Sequence, residues 1–142
     1  MDKAMKSFFD KYERAFNDLD VKGQAELFDE SFLTAGPKGV IARSKEEFLD
    51  MAEQLAAYYR AAGQKSARIL SASETAISPD YSLVEVRWGS TFEKTGDRLI
   101  EYDVSYIVRK TGGARKIAMF VAHEDEEKAM KKLGIMPETA HA

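Results

Sequence analysis

The first twenty residues carry apolar side chains spaced three, four and seven apart, which predicts one buried face of a helix. Those side chains are Phe8, Phe9, Tyr12, Ala15, Phe16 and Leu19. The stretch VKGQAELFDE that follows predicts a short second helix ending near Phe28. A third helix is predicted to begin at Ser44, because Ser44 and Glu47 have the spacing of a capping box, and to end at Gly63.

After Gly63 the hydrophobic period changes from about 3.6 residues to two, which indicates β-strands. In SLVEVRWGSTF the apolar positions alternate with Glu85 and Arg87, and LIEYDVSYIVRK alternates in the same way. KIAMFVAH, by contrast, is apolar on both faces, and SFLTAGPKGVIA predicts a strand, a turn and a returning strand. Short turns between consecutive strands predict an antiparallel meander, so the fold class is α+β, with N-terminal helices packed in a curved antiparallel sheet.

The chain is predicted to form a single domain over residues 1–142, with a core at about 5–124 and a short C-terminal helix at 125–134. Pairs of Glu and Lys four residues apart indicate that last helix. The tail has an apolar side that must be buried on its own body or on another chain. That side consists of Met130, Leu133, Ile135 and Met136.

Composition and charge then exclude several classes of protein. A net charge of −3, with 21 basic and 24 acidic residues mixed along the chain, does not give the basic face of a nucleic-acid-binding protein. No apolar run reaches the roughly 20 residues of a membrane helix, and the acidic residues among the first twenty are atypical of a signal peptide. Cysteine is absent and no histidine–carboxylate cluster has metal-ligand spacing. We therefore expect a cytoplasmic protein without a metal or cofactor.

Three stretches resemble the nuclear transport factor two-like superfamily, which includes ketosteroid isomerase and the SnoaL-like polyketide cyclases. They are YERAFNDLDVKGQAELF, then FLTAGPKG, and the hairpin from VRWGSTFEKTGDR to YDVSYIVRK. The resemblance covers roughly residues 5–124 and implies that the sheet forms a cone-shaped half-barrel around the helices. It implies a shape more than a reaction, because function depends on the site and not on the fold.

Ketosteroid isomerase uses a carboxylate base, a helix-1 tyrosine and a protonated acid from the sheet. The resemblance places the tyrosine at Tyr12, the sheet acid at Tyr106 and the base at Gly36. One donor is thus kept, the second is replaced by a phenol, and the base is missing. Two phenols suit a carbonyl or oxyanion, but their unperturbed pKa near 10 makes them poor bases at neutral pH. Each tyrosine is also compatible with ordinary core packing.

His123 is the candidate base, because an imidazole titrates near physiological pH. His123 shares strand parity with Ile117, Met119 and Val121, so it lies at the rim of the cone if those side chains point inward. Glu124 and Asp125 are conceivable assistants in that hypothesis. The alternative is a strand-end histidine at a dimer surface or beside the acidic tail.

We expect an aromatic pocket for a small, largely apolar ligand. Its predicted lining is Phe16, Phe32, Tyr58, Tyr59, Trp88, Tyr102 and Met119. The leading hypothesis is a small-molecule-binding protein. If it is an enzyme, we expect an isomerase, cyclase or dehydratase that needs no cofactor and acts on an apolar carbonyl compound through His123, Tyr12 and Tyr106. The alternatives are a non-catalytic ligand-binding or dimerisation module, and an accessory domain docking on a larger partner. A homodimer is expected through the outer sheet face, where Glu101 and Asp103 point.

Overall fold

The computed structural model of the chain describes residues 1–125. Its helices are α1 (Lys3–Asn17), α2 (Val21–Ala25) and α3 (Lys45–Ala62), and Glu93–Thr95 form a single 3-10 turn. Its strands are β1 (Phe28–Gly36), β2 (Gly39–Ser44), β3 (Gln64–Ala76), β4 (Tyr81–Phe92), β5 (Ile100–Thr111) and β6 (Ala114–Ala122). Residues 126–134 of the predicted C-terminal helix, and the apolar side assigned to the tail, lie outside the described residues.

The two long helices begin where the sequence predicts. Ser44 Oγ accepts from the backbone N–H of Glu47, whose side chain accepts in turn from the Ser44 backbone N–H. Gly63 ends α3 in the left-handed conformation, with φ of 75°, which glycine adopts without steric cost. The second helix is shorter than expected, because the chain is already extended at Phe28, where β1 begins and pairs with β6.

The six strands form one curved sheet in the order β2-β1-β6-β5-β4-β3. The α+β class with helices packed against a curved sheet is confirmed. The expectation of a wholly antiparallel sheet is wrong for one pair, since β1 and β6 run parallel. A parallel pair needs a long connection, and here α3 with β3, β4 and β5 supplies it. The strands β3 to β6 form the predicted antiparallel meander.

A β-bulge in β6 sets which side chains enter the core. Ile107 pairs with Met119 and Val108 pairs with Ile117, so Ala118 has no partner in the β5–β6 ladder. An extra residue in one strand reverses the facing of every side chain beyond it relative to a regular strand. The regular alternation of inward and outward side chains along β6 is therefore interrupted at Ala118.

Beyond the bulge, Phe120 and Ala122 face the helices, whereas His123 faces away from them. Ile117, which precedes the bulge, is fully buried. His123 shares a face with Met119 and Val121, as expected, but the expectation that it also shares the face of Ile117 is wrong, and the reason is the unpaired Ala118. Met119, predicted to line the pocket, is turned to the outer face by the same bulge.

Helix α1 is fixed to the sheet by two polar side chains at the exposed edge of β3. Glu13 Oε2 accepts from the backbone N–H of Ile69 at 2.6 Å, and Asn17 Oδ1 accepts from that of Ala67 at 2.9 Å. These bonds satisfy edge-strand donors that would otherwise be open to another chain. They also hold the apolar face of α1, including Tyr12, against the inner face of the sheet.

Candidate functional site

A cavity of about 140 Å³ lies between α1, α3 and the inner face of β4, β5 and β6. Its lining is almost entirely apolar or aromatic. The lining residues are Tyr12, Phe16, Leu19, Gln24, Phe48, Met51, Ala52, Leu55, Ala56, Tyr59, Trp88, Tyr102, Val104, Tyr106, Phe120 and Ala122. Among these described residues the ionisable side chains are tyrosines alone, with no carboxylate, imidazole or amine.

Most of the aromatic residues assigned to the pocket from sequence do line it, including both tyrosines proposed for catalysis. Three others lie elsewhere. Phe32 packs in the core against Phe28, with ring centroids 4.7 Å apart. Tyr58 lies beside Tyr59 in a second cluster, and Met119 is on the opposite face of the sheet.

Sequence reasoning missed several lining residues in α2 and α3. Met51 and Leu55 are apolar and four residues apart, so helical spacing could have placed them in the lining. Gln24 had no such signal, because a glutamine in a five-residue helix normally indicates a solvated position. It is nevertheless buried, and it lines the cavity.

A chain of hydrogen bonds runs through the cavity wall. The indole Nε1–H of Trp88 donates to Tyr106 Oη at 3.1 Å, and Tyr106 is hydrogen-bonded to Tyr12. The two phenol rings meet edge to face, with centroids 5.6 Å apart. Indole nitrogen only donates, whereas each phenol can donate once and accept.

This series of hydrogen bonds leaves one phenolic hydrogen without an acceptor among the described residues. Trp88, Tyr106 and Tyr12 bring one hydrogen each, and the two bonds of the chain use two of the three. The result is the same whichever phenol donates to the other. The cavity wall therefore contains one spare hydrogen-bond donor.

Both phenols are held in the neutral form. Burial raises the pKa of Tyr12 to about 12, although the hydrogen bond from Tyr106 partly opposes this shift. Burial, followed by the proximity of Tyr12, raises the pKa of Tyr106 well above its usual value near 10. At neutral pH the pair can donate a hydrogen bond, but it cannot supply a base.

His123 lies on the outer face of the sheet, and the structure does not bring it together with Tyr12 and Tyr106. Its Nε2 lies 2.8 Å from Ser105 Oγ, and its backbone N–H donates to the carbonyl oxygen of Asp103 at 3.1 Å. The imidazole is exposed beside a groove that also contains Arg87. The full thickness of the sheet separates His123 from the cavity.

The carboxylates considered as assistants are also on the outside. Glu124 is exposed, and Asp125 Oδ2 lies 3.5 Å from the Nζ atom of Lys38. As the alternation predicted, Glu101 and Asp103 point outward, where both pair with Arg87 at 2.9 and 3.0 Å. These contacts build a charged outer surface rather than a site in the cone.

Two further features of residues 1–125 bear on function. No three His, Cys, Asp or Glu side chains among them are grouped so that they could hold a metal ion. No helix in this part of the chain is long and apolar enough to cross a membrane.

The family model described as "NTF2-like protein (DUF6841)" matches residues 2–125, which is most of the sequence. The chain belongs to this family. The resemblance to nuclear transport factor two-like proteins inferred from the sequence is thereby confirmed. No curated protein matches the sequence.

Solved structures similar to this NTF2-like protein agree on the fold. An NTF2-like protein of unknown function from Shewanella oneidensis MR-1 superimposes with a TM-score of 0.70 at 13% identity, covering 85% of this chain and 97% of that one. A putative scytalone dehydratase from Novosphingobium aromaticivorans DSM 12444 gives 0.68 at 15% identity, covering 84% and 80%. A ketosteroid isomerase-like protein from Erwinia carotovora atroseptica SCRI1043 gives 0.58 at 15% identity, covering 86% and 94%. At these identities the similarity shows the fold alone.

Proposed function

We propose that this protein binds a small, largely apolar molecule in the cavity between its helices and its sheet. The observation that carries the proposal is a preformed cavity with aromatic walls and one spare phenolic hydrogen. Pockets of this kind, apolar with a few fixed polar groups, are typical of small-molecule sites.

The volume limits the ligand to about one ring. An engineered protein cavity of roughly 150 Å³ takes up benzene, and this cavity has about 140 Å³. A steroid or another fused-ring compound needs more space than this. We therefore propose a monocyclic aromatic compound or an aliphatic one of similar size.

The spare phenolic hydrogen favours a ligand that carries an oxygen acceptor. A buried donor without a partner costs roughly 1–3 kcal/mol, and a carbonyl oxygen placed against Tyr12 and Tyr106 would remove that cost. The neighbouring aromatic rings would pack on the apolar part of the same ligand.

Proton-transfer catalysis is the weaker alternative. Two of the structural neighbours are named as a putative scytalone dehydratase and a ketosteroid isomerase-like protein, which makes an isomerase, cyclase or dehydratase worth considering. Such a reaction needs a proton acceptor, and the described lining residues include none that is unprotonated at neutral pH. Gly36 at the position of the isomerase base weighs in the same direction.

The test compares benzaldehyde with styrene, which has a similar shape but no acceptor oxygen. Trp88 is the single tryptophan, so its indole N–H gives one NMR signal that reports directly on the cavity wall. We expect both compounds to shift this signal, with benzaldehyde binding about 3–10-fold more tightly. In the double variant Tyr12→Phe/Tyr106→Phe the preference for benzaldehyde should disappear.

The matched control is Tyr81→Phe, which removes a phenol hydroxyl from a half-exposed site away from the cavity and should leave the preference intact. If neither compound shifts the indole signal at millimolar concentration, the proposed binding function is wrong. If binding occurs but the double variant keeps the preference for benzaldehyde, the assigned donor is wrong.

We further propose self-association through the outer face of the sheet. Leu33 and Val40 are 39% and 61% exposed there, and strand pairing places Met119 beside Leu33. Exposed apolar side chains that share a sheet face favour burial against a second copy. Val40→Glu should shift the sedimentation coefficient from dimer to monomer, whereas Ile41→Glu, on the other side of β2, should not. A wild-type chain that sediments as a monomer would contradict the proposal.

A further inference from the structure

We propose that Gln24 recognises a hydroxyl group of the ligand, so that the cavity selects a single-ring compound carrying both a hydroxyl and a carbonyl oxygen. This inference rests on the ligand-binding function proposed above. It adds to that function a second polar contact and a narrower class of ligand.

Gln24 is buried, with 7% of its surface exposed, and it lines the cavity. Its Nε2 donates to the carbonyl oxygen of Ala15 at 3.3 Å. Because a carbonyl oxygen only accepts, the amide NH2 must face Ala15, and Oε1 lies on the other side of the amide group. The structure gives Oε1 no donor among residues 1–125.

The bond to Ala15 does not explain why the amide is buried. The carbonyl oxygen of Ala15 already accepts from the backbone N–H of Asp20 at 2.8 Å, within the turn that ends α1. The contact from Gln24 is therefore a second and longer bond to an acceptor that already has one donor. A side chain needed only for packing would be apolar here, since burying an incompletely bonded amide is unfavourable.

Two serines that are as deeply buried as Gln24 differ from it in this respect. Ser82 Oγ donates to Glu74 Oε2 at 2.7 Å, and Ser90 Oγ is paired with Tyr102 Oη at 3.2 Å. Each serine thus has a partner within the protein. Gln24 is the buried polar residue that both lines the cavity and keeps an unused acceptor.

The two polar groups of the cavity have opposite requirements. The phenol pair offers a spare hydrogen, so it binds an acceptor such as a carbonyl oxygen. Gln24 Oε1 accepts, so it binds a donor such as a hydroxyl. Together they favour a ligand that presents one of each, and both groups lie in the wall of a cavity of about 140 Å³. A hydroxybenzaldehyde is the smallest simple aromatic compound with this combination.

The experiment measures dissociation constants of benzaldehyde and of its 2-, 3- and 4-hydroxy and methoxy derivatives from the shift of the Trp88 indole signal at pH 6. In the wild type we expect at least one hydroxy isomer to bind about 3–10-fold more tightly than benzaldehyde, with its methoxy counterpart losing the gain. In Gln24→Met, which keeps the length of the side chain, this hydroxyl advantage should disappear, so that the hydroxy derivatives and benzaldehyde bind with similar affinity.

The matched control is Gln54→Leu, at an exposed position, which should retain the tighter binding of the hydroxy derivative. Gln24→Leu gives a second variant if Gln24→Met folds poorly. An advantage that survives in both Gln24 variants overturns this inference. So does a wild type that binds benzaldehyde without any preference for a hydroxyl group, although the ligand-binding function would then stand. If no compound binds the wild type, the inference falls together with the proposed function.

Discussion

The two faces of strands β4, β5 and β6 carry opposite kinds of side chain. The inner face presents Trp88 and Tyr106, which are buried and hydrogen-bonded to each other. The outer face presents Arg87, Asp103 and His123, which are exposed and paired with neighbours on the same surface. Residues next to one another in the sequence thus lie in a dry aromatic wall or on a charged surface.

This difference separates the residues that suit acid–base chemistry from the aromatic cavity. The imidazole and the carboxylates line an open polar groove on the outer face, and the cavity contains neutral donors and aromatic rings. A cavity without a base can select a ligand by shape and hydrogen bonding, but it has little means of moving a proton. The contrast between the faces is therefore the main physical argument for binding over catalysis.

Phe120 and Met119 test the bulge directly, because a β6 without an unpaired Ala118 would exchange the faces of these two neighbours. Phe120 packs against Phe28 and Tyr106 on the inner face, so Phe120→Ala should destabilise the protein by roughly 3–4 kcal/mol. We expect urea unfolding to show a loss of that size.

The control is Met119→Ala, which truncates a partly buried side chain on the outer face beside Leu33 and should cost clearly less. A loss in Met119→Ala as large as that in Phe120→Ala would contradict the role given to the bulge.

Trp88 and Arg87 allow a direct comparison of the two faces, since they are neighbours in β4 and point in opposite directions. Trp88 is 1% exposed, and Trp88→Ala should destabilise the protein by roughly 3–5 kcal/mol through the lost burial. The Arg87 side chain is 45% exposed, and Arg87→Ala should cost far less because exposed ion pairs contribute little. Urea unfolding measures both values, and equal losses would mean that the outer face matters to stability as much as the core.

The buried phenols should make the inner face sensitive to alkaline pH. Because the folded-state pKa of Tyr12 is raised to about 12, from about 10 when unfolded, folding favours the protonated phenol. The resulting stability is present below pH 10 and is lost as the pH rises toward 12. Two pKa units correspond to a contribution of about 3 kcal/mol to the free energy of unfolding.

Melting temperatures of the wild type and of Tyr12→Phe between pH 9 and 12 measure this loss, which should be smaller in the variant. Tyr81→Phe, at a half-exposed position, should behave as the wild type does. Identical pH dependence in wild type and Tyr12→Phe would show that the phenol is not held in its neutral form by burial.

Much of this organisation was predictable from the sequence. The period-two alternation in β4 and β5 correctly separated Trp88 and Tyr106 from Arg87 and Asp103, because each of those strands has one apolar and one polar face. Helical spacing and the capping box similarly fixed α1 and α3. The resemblance to ketosteroid isomerase then indicated which two tyrosines meet in the cavity.

The remaining features depend on information that a local pattern does not carry. The last strand is apolar on both faces, so no alternation marks its register, and the bulge at Ala118 has no distinctive residue. The parallel pairing of β1 with β6 joins segments far apart in the sequence. The burial of Gln24 arises from the turn that folds α2 back on α1, which no spacing of apolar residues indicates.

The smallest expected effect concerns His123, and it tests the separation of the faces without disturbing the fold. Tyr106→Phe should leave the NMR signals of the His123 ring at fixed pH unchanged, because the sheet lies between the two side chains. Ser105→Ala should shift the same signals, since it removes the hydroxyl 2.8 Å from Nε2. His141→Ala in each protein leaves a single histidine and assigns the signals. A response to Tyr106→Phe as large as that to Ser105→Ala would place His123 and the phenols in one site, and the catalytic hypothesis would then regain its base.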